Sequence, residues 1–402
     1  MIGAVEATTR ARPARRGPVL REEERVTPLE LFFDLVFVLA ITQCTALMAK
    51  NPSWQGIARG LLVLGLLWWC WVGYAWLTSV VDPEEGAVRI AIFASMAALL
   101  VAALAVPHAF NDRGLVFAVA YGFARYAQVV LLYIASRENP SLRHSVITGL
   151  SFSTAISIGL LVVASQTDGA MQGALWALAL ALDMAGPLFF GVEGWTLVPG
   201  HFAERHGLIV LIAIGESIVA VGAGARTEID AGMITAAVLG VAVAAVLWWL
   251  YFDVVAVVAG RRLARLPPGR EQNAMARDSY SFLHFPLVAG IVLVAFGMKK
   301  TLAHVDHHLD IVPATAMFGG MALYLLAHVA FRFRNLHTVN KQRLATAALL
   351  VALLPLVVKI DALVALALLG ALLVSLIAYE AIRFADARDR IRHELAREPA
   401  GD

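Results

Sequence analysis

The sequence predicts an all-α protein, a polytopic transmembrane bundle of about twelve helices arranged as two parallel six-helix repeats. Three observations predict it. Apolar residues make up 60% of the 402-residue chain and charged residues 15%, with a mean hydropathy of +0.74. Soluble domains carry about 25% charge, so this chain has too little polar surface to cover itself in water. Apolar stretches recur along the whole chain at about 20 residues, the length a helix needs to cross a ~30 Å hydrocarbon core. Three quarters of the lysines and arginines fall on alternate connections, the bias multi-pass proteins show. The composition also excludes a disordered, collagenous or disulfide-stapled chain. Cys44 and Cys70 both lie inside apolar runs and read as small buried side chains.

In chain order the predicted spans are Leu29–Ala49, Ile57–Val80, Val88–Val106, Gly114–Ala135, Val146–Ser165 and Met171–Phe190 in the first half. The second half gives Arg205–Ala223, Met233–Ala259, Ser279–Met298, Ala314–Phe331, Leu344–Val358 and Leu363–Arg383. The eleventh is short and carries Pro355, so spans eleven and twelve are the pair whose separation is least defined. Residues 1–27 form a basic arm whose Arg10, Arg12, Arg15, Arg16, Arg21 and Arg25 break any apolar core a cleavable leader would need. Residues 28–192 are the first repeat, 193–385 the second, and 386–402 a short charged tail. With the N-terminus in the cytoplasm, 24 of the 32 lysines and arginines fall inside. Lys50, Arg59, Arg113, Arg226, Lys299, Lys300 and Lys359 fall outside, and Arg125 lies within a span. That imbalance favours both ends in the cytoplasm of a bacterial inner membrane. It also reads the net charge of +2 as anchoring to the inner leaflet, with no nucleic-acid partner.

The halves echo each other. Leu67-Trp68-Trp69-Cys70-Trp71 in span two matches Leu247-Trp248-Trp249-Leu250-Tyr251 in span eight. Tyr126 leads to Arg143-His144-Ser145 as Tyr324 leads to Lys341-Gln342-Arg343, and Glu30 and Glu204 open spans one and seven. An even number of crossings per unit makes two such units parallel, related by an axis along the membrane normal.

Two blocks carry a resemblance. Pro28-Leu29-Glu30-Leu31-Phe32-Phe33-Asp34-Leu35-Val36-Phe37-Val38-Leu39-Ala40-Ile41-Thr42-Gln43 opens span one. His201-Phe202-Ala203-Glu204-Arg205-His206-Gly207 followed by Ile214-Gly215-Glu216-Ser217-Ile218 forms span seven. Together they resemble the signature blocks of the bacterial low temperature requirement protein A family, over essentially the whole membrane region. The resemblance implies a multi-pass inner-membrane protein linked to growth in the cold, and no defined biochemical activity. Glu30-x-Phe32-x-Asp34 followed by Ala40-Ile41-Thr42 is also similar to the first helix of potassium channels built from two six-helix repeats. Leu208 stands at the Asp34 position of the second half, which departs from that pattern.

Ionisable groups inside lipid cost a few kcal/mol each, so every one needs a partner or a hydrated cavity. Arg125, Asp183 and Glu216 each come to roughly 16–18 Å from a helix end at 1.5 Å per residue, and one cation with two carboxylates at one depth suggests a shared substrate or ion site. Nearer the cytoplasm lie Glu30, Asp34, His201, Glu204, Arg205, His206, Asp253, His284 and His328, candidates for an inner gate or proton path. Two of these have simpler readings. Thr27-Pro28-Leu29-Glu30 has the form of a capping box, and Glu204 suits a helix N-terminus. The outer His304-Val305-Asp306-His307-His308 reads as a solvated loop, and Trp68, Trp69, Trp71 and Trp76 read as helix packing and lipid contact. No phosphate loop, GxSxG, HExxH or CxxC is present, and neither cofactor nor metal is called for. The sequence therefore points to a secondary transporter or permease, proton-coupled through Glu216 and Asp183, with Arg125 as anion anchor and Asp34 as inner gate. An ion channel with span one lining the pore, a membrane-embedded lipid-modifying enzyme and a non-catalytic scaffold are the alternatives. The partners expected are the lipid bilayer and a small solute or ion, and a homo-oligomer is compatible with all four.

Overall fold

The structure, a computed structural model, describes residues 25–189, 194–224 and 230–385. The arginines at 10–21, Phe190, Arg226 and the tail from 386 lie outside the described residues. The described chain is helical and contains no strand. Eleven helices are long and apolar enough to cross a membrane. We number them α1 Pro28–Lys50, α2 Trp54–Val80, α3 Gly86–His108, α4 Gly114–Glu138, α5 Pro140–Ala164, α6 Gly169–Phe189, α7 Pro199–Gly224, α8 Ala231–Arg265, α9 Arg270–Ala303, α10 Ile311–Leu336 and, last, α12 Ala362–Arg383. Between the last two, α11 runs over Lys341–Ala352 and resumes for a single turn at Leu354–Val357.

Local chemistry sets where these helices begin. Thr27 and Glu30 form the capping box in both directions, with Pro28 at the first helical position. Ser53, Asn139, Asp230 and Asn340 accept from backbone N–H groups at the starts of α2, α5, α8 and α11. Pro355 lacks the N–H that would continue the ladder, and α11 breaks there.

Hydrogen bonds between connections sort the helix ends onto two faces. On the face carrying the start of α1, Asn139 Nδ2 donates to Gly194 O at 2.7 Å, and Asn273 Nδ2 donates to Trp195 O at 2.8 Å. Asn340 Nδ2 there donates to Glu380 Oε1 at 2.9 Å. On the opposite face Lys300 Nζ donates to Ala49 O at 2.9 Å, and Ala362 N donates to His307 O at 2.9 Å. The segment from Asn340 to Asp361 thus begins on one face and ends on the other. Short and broken as it is, α11 runs from one face to the other, and spans eleven and twelve are separate.

In each half the helices choose neighbours in the same order. α1 packs on α2 and α3, α3 on α4, α4 on α5, and α2 on α6; likewise α7 packs on α8 and α9, α9 on α10, α10 on α11, and α8 on α12. The halves meet where α1 and α2 face α7 and α9. α2 and α9 are the most enclosed helices. Their surroundings correct one expectation: Trp68, Trp69, Trp71 and Trp76 are buried and do not face lipid. Trp68 and Trp76 donate to Ser281 O and Oγ at 2.9 and 3.0 Å, because an indole N–H inside a bundle needs an acceptor. α9 and α10 approach so closely that a Cβ on Gly290 would stand 2.7 Å from Gly320 O, the small-residue packing that lipid-embedded helices favour.

Candidate functional site

Arg125 and Asp183 meet inside the first half. The guanidinium Nη2 donates to Asp183 Oδ1 at 2.7 Å and Nη1 to Gln128 Oε1 at 2.6 Å. Tyr121 and Thr154 hydroxyls donate to the two carboxylate oxygens at 2.9 and 3.2 Å. Both side chains are buried, and their charges are neutralised by one another and by neutral donors. Arg125 Nε is left without a partner.

Beside this guanidinium is a cavity of about 60 Å³, room for a few waters or a small solute at ~10–15 Å³ of such space per water. Trp69, Val72, Gly73 and Trp76 of α2 line one side with Arg125 and Gln128 of α4, and three further helices close the rest. Gly149 and Leu150 belong to a π-helical stretch of α5, Val146–Ser151. Arg277 and Ser281 belong to a second, Ala276–Phe282, in α9. Pro187 lies in the last turn of α6, and its carbonyl accepts from Arg277 Nη1 at 3.3 Å. π turns widen a helix locally and recur at functional sites. Here two of them and Pro187 border one void, mostly apolar in its lining, which reaches from Arg125 toward Arg277 and Trp195 on the face where α1 starts.

Glu216 does not join Arg125 and Asp183, contrary to the shared site expected from depth. It lies on the seam between the halves, where Thr42 and Thr45 of α1 hold its two oxygens at 2.5 Å each. The reason is rotational: equal depth along α4, α6 and α7 fixes no azimuth, and α7 turns Glu216 toward α1. The clasp accommodates two proton states. Each threonine hydroxyl also lies 3.0 or 2.8 Å from a carbonyl of its own helix. With both hydroxyls turned to Glu216 the carboxylate is satisfied; with a proton on Glu216 they turn back to Val38 O and Thr42 O while the carboxyl donates to one of them.

Nearer the α1 start, the same seam carries an ionic knot. Arg205 of α7 donates to Glu30 Oε1 at 3.1 Å, to Asp34 Oδ1 at 2.7 Å and to Thr78 Oγ1 at 3.1 Å. His201 Nε2 lies 2.8 Å from Glu30 Oε1, and Trp71 Nε1 donates to Asp34 Oδ1 at 2.8 Å. Glu30 therefore does both things its sequence suggested: one oxygen caps α1 and the other pairs across the seam. Glu204 faces outward and accepts from Val26 N at 3.2 Å.

The remaining candidates stand apart from the knot. His284 accepts at Nε2 from Tyr251 OH at 2.8 Å and lies 2.9 Å from Ser279 O through Nδ1. Its ring lies 5.3 Å from that of His206, within an aromatic cluster that includes Tyr280 and Phe331. Asp253 sits where α8 breaks and borders a second cavity with His328. The loop from His304 to His308 is held by its backbone, with His307 O and Val305 O accepting from the start of α12.

Sequence reading missed Thr42, Thr45, Tyr121, Gln128 and Thr154, because short polar residues within spans are common and carry no signal alone. It also missed both π stretches. Thr154 lies 29 residues from Arg125 and Ser281 lies 205 from Trp76, and no local pattern joins positions so distant.

Residues 25–378 match the family model described as bacterial low temperature requirement A protein (LtrA). An uncharacterized protein of Rhizobium meliloti (strain 1021), RA0937, is 28% identical over 311 residues, covering 74% of each chain. No solved structure matches.

Proposed function

The chain belongs to the bacterial low temperature requirement A family, and from its geometry we propose that it is a secondary transporter that binds a small solute in the Arg125 cavity. One observation carries the reading. Two π-helical stretches and Pro187 of α6 border the same void as Arg125. Irregular helix around a cavity within a duplicated bundle is where transporters hold their solutes. The Arg125 guanidinium attracts an acceptor group of the solute, while Asp183 balances the charge.

The seam between the halves supplies the moving parts. Glu216 exchanges a proton between its two hydrogen-bonding states, and the Arg205–Glu30–Asp34 knot closes the seam on the face where α1 starts. We place this face in the cytoplasm of the inner membrane, on the excess of lysine and arginine there. The matching neighbour order of the halves supports an internal duplication. The proposal treats the chain as a carrier with no covalent chemistry of its own.

The test is transport by purified protein in vesicles containing a pH-sensitive dye, challenged with a panel of organic acids, amino acids and sugars, with and without a pH gradient. At least one solute should drive a proton flux in the wild type. Arg125→Lys, which keeps the charge against Asp183 but loses the planar fork, should reduce it at least tenfold, and Glu216→Gln should uncouple solute from proton. Solute flux unchanged in both variants overturns the assignment, as does a passive current indifferent to the gradient, which would make the protein a channel.

A further inference from the structure

Resting on the reading of the Arg125 cavity as a solute site, we propose that its solute is a short-chain monocarboxylate anion and that Arg277 selects it. Two guanidinium groups, Arg125 and Arg277, line the void, and among the described residues around it there is no carboxylate and no imidazole. A wall of this kind offers positive charge and hydrogen-bond donors, and it repels a cation.

The two cations differ in how they are balanced. Arg125 has a carboxylate to itself, Asp183 at 2.7 Å. Arg277 shares one. Its Nε and Nη2 reach Asp278 Oδ1 at 2.8 and 2.7 Å, while the other oxygen of Asp278 accepts from Arg334 Nε and Nη2 at 3.0 and 2.9 Å. Two cations on one carboxylate leave a single positive charge in excess beside the void, and an anion of one charge closes that balance. Arg277 also keeps donors to hold it. Of the five N–H groups of a guanidinium, Asp278 takes two and Pro187 O a third, so two stay open to a ligand. Its side chain is 19% exposed, whereas Arg125 is buried, so Arg277 is the cation an incoming anion meets.

The rest of the wall sets the other end of the ligand. Trp69, Val72, Trp76 and Leu150 present ring and aliphatic surface to a void of about 60 Å³. A carboxylate on Arg277 with a tail of roughly two to four carbons against that surface fits both the charge and a space sized for a few waters. Other classes fit less well. A dianion brings one charge more than the cluster balances. A polyol leaves hydroxyls against apolar walls without partners, and an inorganic anion leaves those walls unused.

The experiment is calorimetric titration of the full-length protein in detergent, at neutral pH and without chloride, with four probes: propionate, propionamide as its uncharged isostere, succinate and nitrate. Saturable one-site binding of propionate is expected, tighter than each of the other three by about tenfold or more, the worth of a hydrogen bond to a charged group. Arg277→Gln should weaken propionate by about tenfold and leave propionamide within about threefold. Asp278 keeps Arg334 in that variant, so the substitution widows no charge. Absence of saturable propionate binding, or propionate affinity unchanged in Arg277→Gln, overturns the proposal. Propionamide bound as tightly as propionate also overturns it, while the cavity remains a solute site; succinate or nitrate bound as tightly overturns the class. Propionate that binds as expected but is not carried across vesicles supports this assignment and removes the transport reading alone. Should Arg277→Gln fail to fold, the four probes on the wild type decide.

Discussion

Arg125 and Asp183 form the most deeply buried ion pair of the first half. The guanidinium and Asp183 are enclosed together, and a buried pair contributes little net stability while a widowed partner costs about 3–5 kcal/mol. Arg125→Met should therefore lower the thermal stability of the detergent-solubilised protein by an amount in that range. Adding Asp183→Leu to it should recover most of the loss, because the remaining charge disappears. Equal destabilisation by the single and double variants would mean that the pair is not the unit the geometry describes. At the start of α1, Thr27→Ala removes one half of the capping box and should cost about 1 kcal/mol in the same melt. The pairing of Arg125 with Asp183 was half legible in the sequence. Depth could be counted along each helix, and it put both residues near the midplane; the same count wrongly added Glu216, since position along an axis says nothing of the direction a side chain points.

Among the elements, the contact between α9 and α10 is the most demanding. Gly290 and Gly320 let two backbones approach until a Cβ on either would meet main-chain atoms at under 3 Å, 2.7 Å from Gly320 O for the first and 2.9 Å from Gly290 O for the second. Backbone cannot rotate away as a side-chain tip can, so Gly290→Ala forces the helices apart. It should destabilise the bundle by about 1–3 kcal/mol, the usual cost of overpacking, whereas Gly319→Ala, with only Thr315 Cγ2 at 3.6 Å, should be close to neutral. Comparing the two melts separates close approach from loss of glycine as such. Helix existence and order were readable from apolar length alone. The π-helical stretches were not, because Val146–Ser151 and Ala276–Phe282 differ from ordinary helix only in how the backbone is paired, and composition does not record that. The weakest span was marked correctly as weak: Pro355 told of a break, and the hydrogen bonds at both ends of α11 were needed to show that the segment still crosses.

On the scale of the whole molecule, two halves with matching neighbours meet along α1 and α7, and nearly every buried charge outside the Arg125 pair lies on or beside that seam. That seam carries titratable contacts and lies next to a cavity framed by irregular helix, which is what the proposed rocking of one half against the other would use. The class of fold was legible because a bilayer admits few solutions: apolar length, charge placement and internal echo each point to the same bundle. The location of the void was not, since it depends on which irregular turns face one another in three dimensions. The central claim is that water reaches the Arg125 cavity from the face where α1 starts. Its most direct test is thiol labelling of Gly149→Cys in a protein whose buried Cys44 and Cys70 are replaced by alanine, using a membrane-impermeant maleimide on sealed vesicles of each orientation. The account predicts rapid labelling when that face is outward and slow labelling from the other. A thiol at this position that stays unmodified from both faces would contradict it.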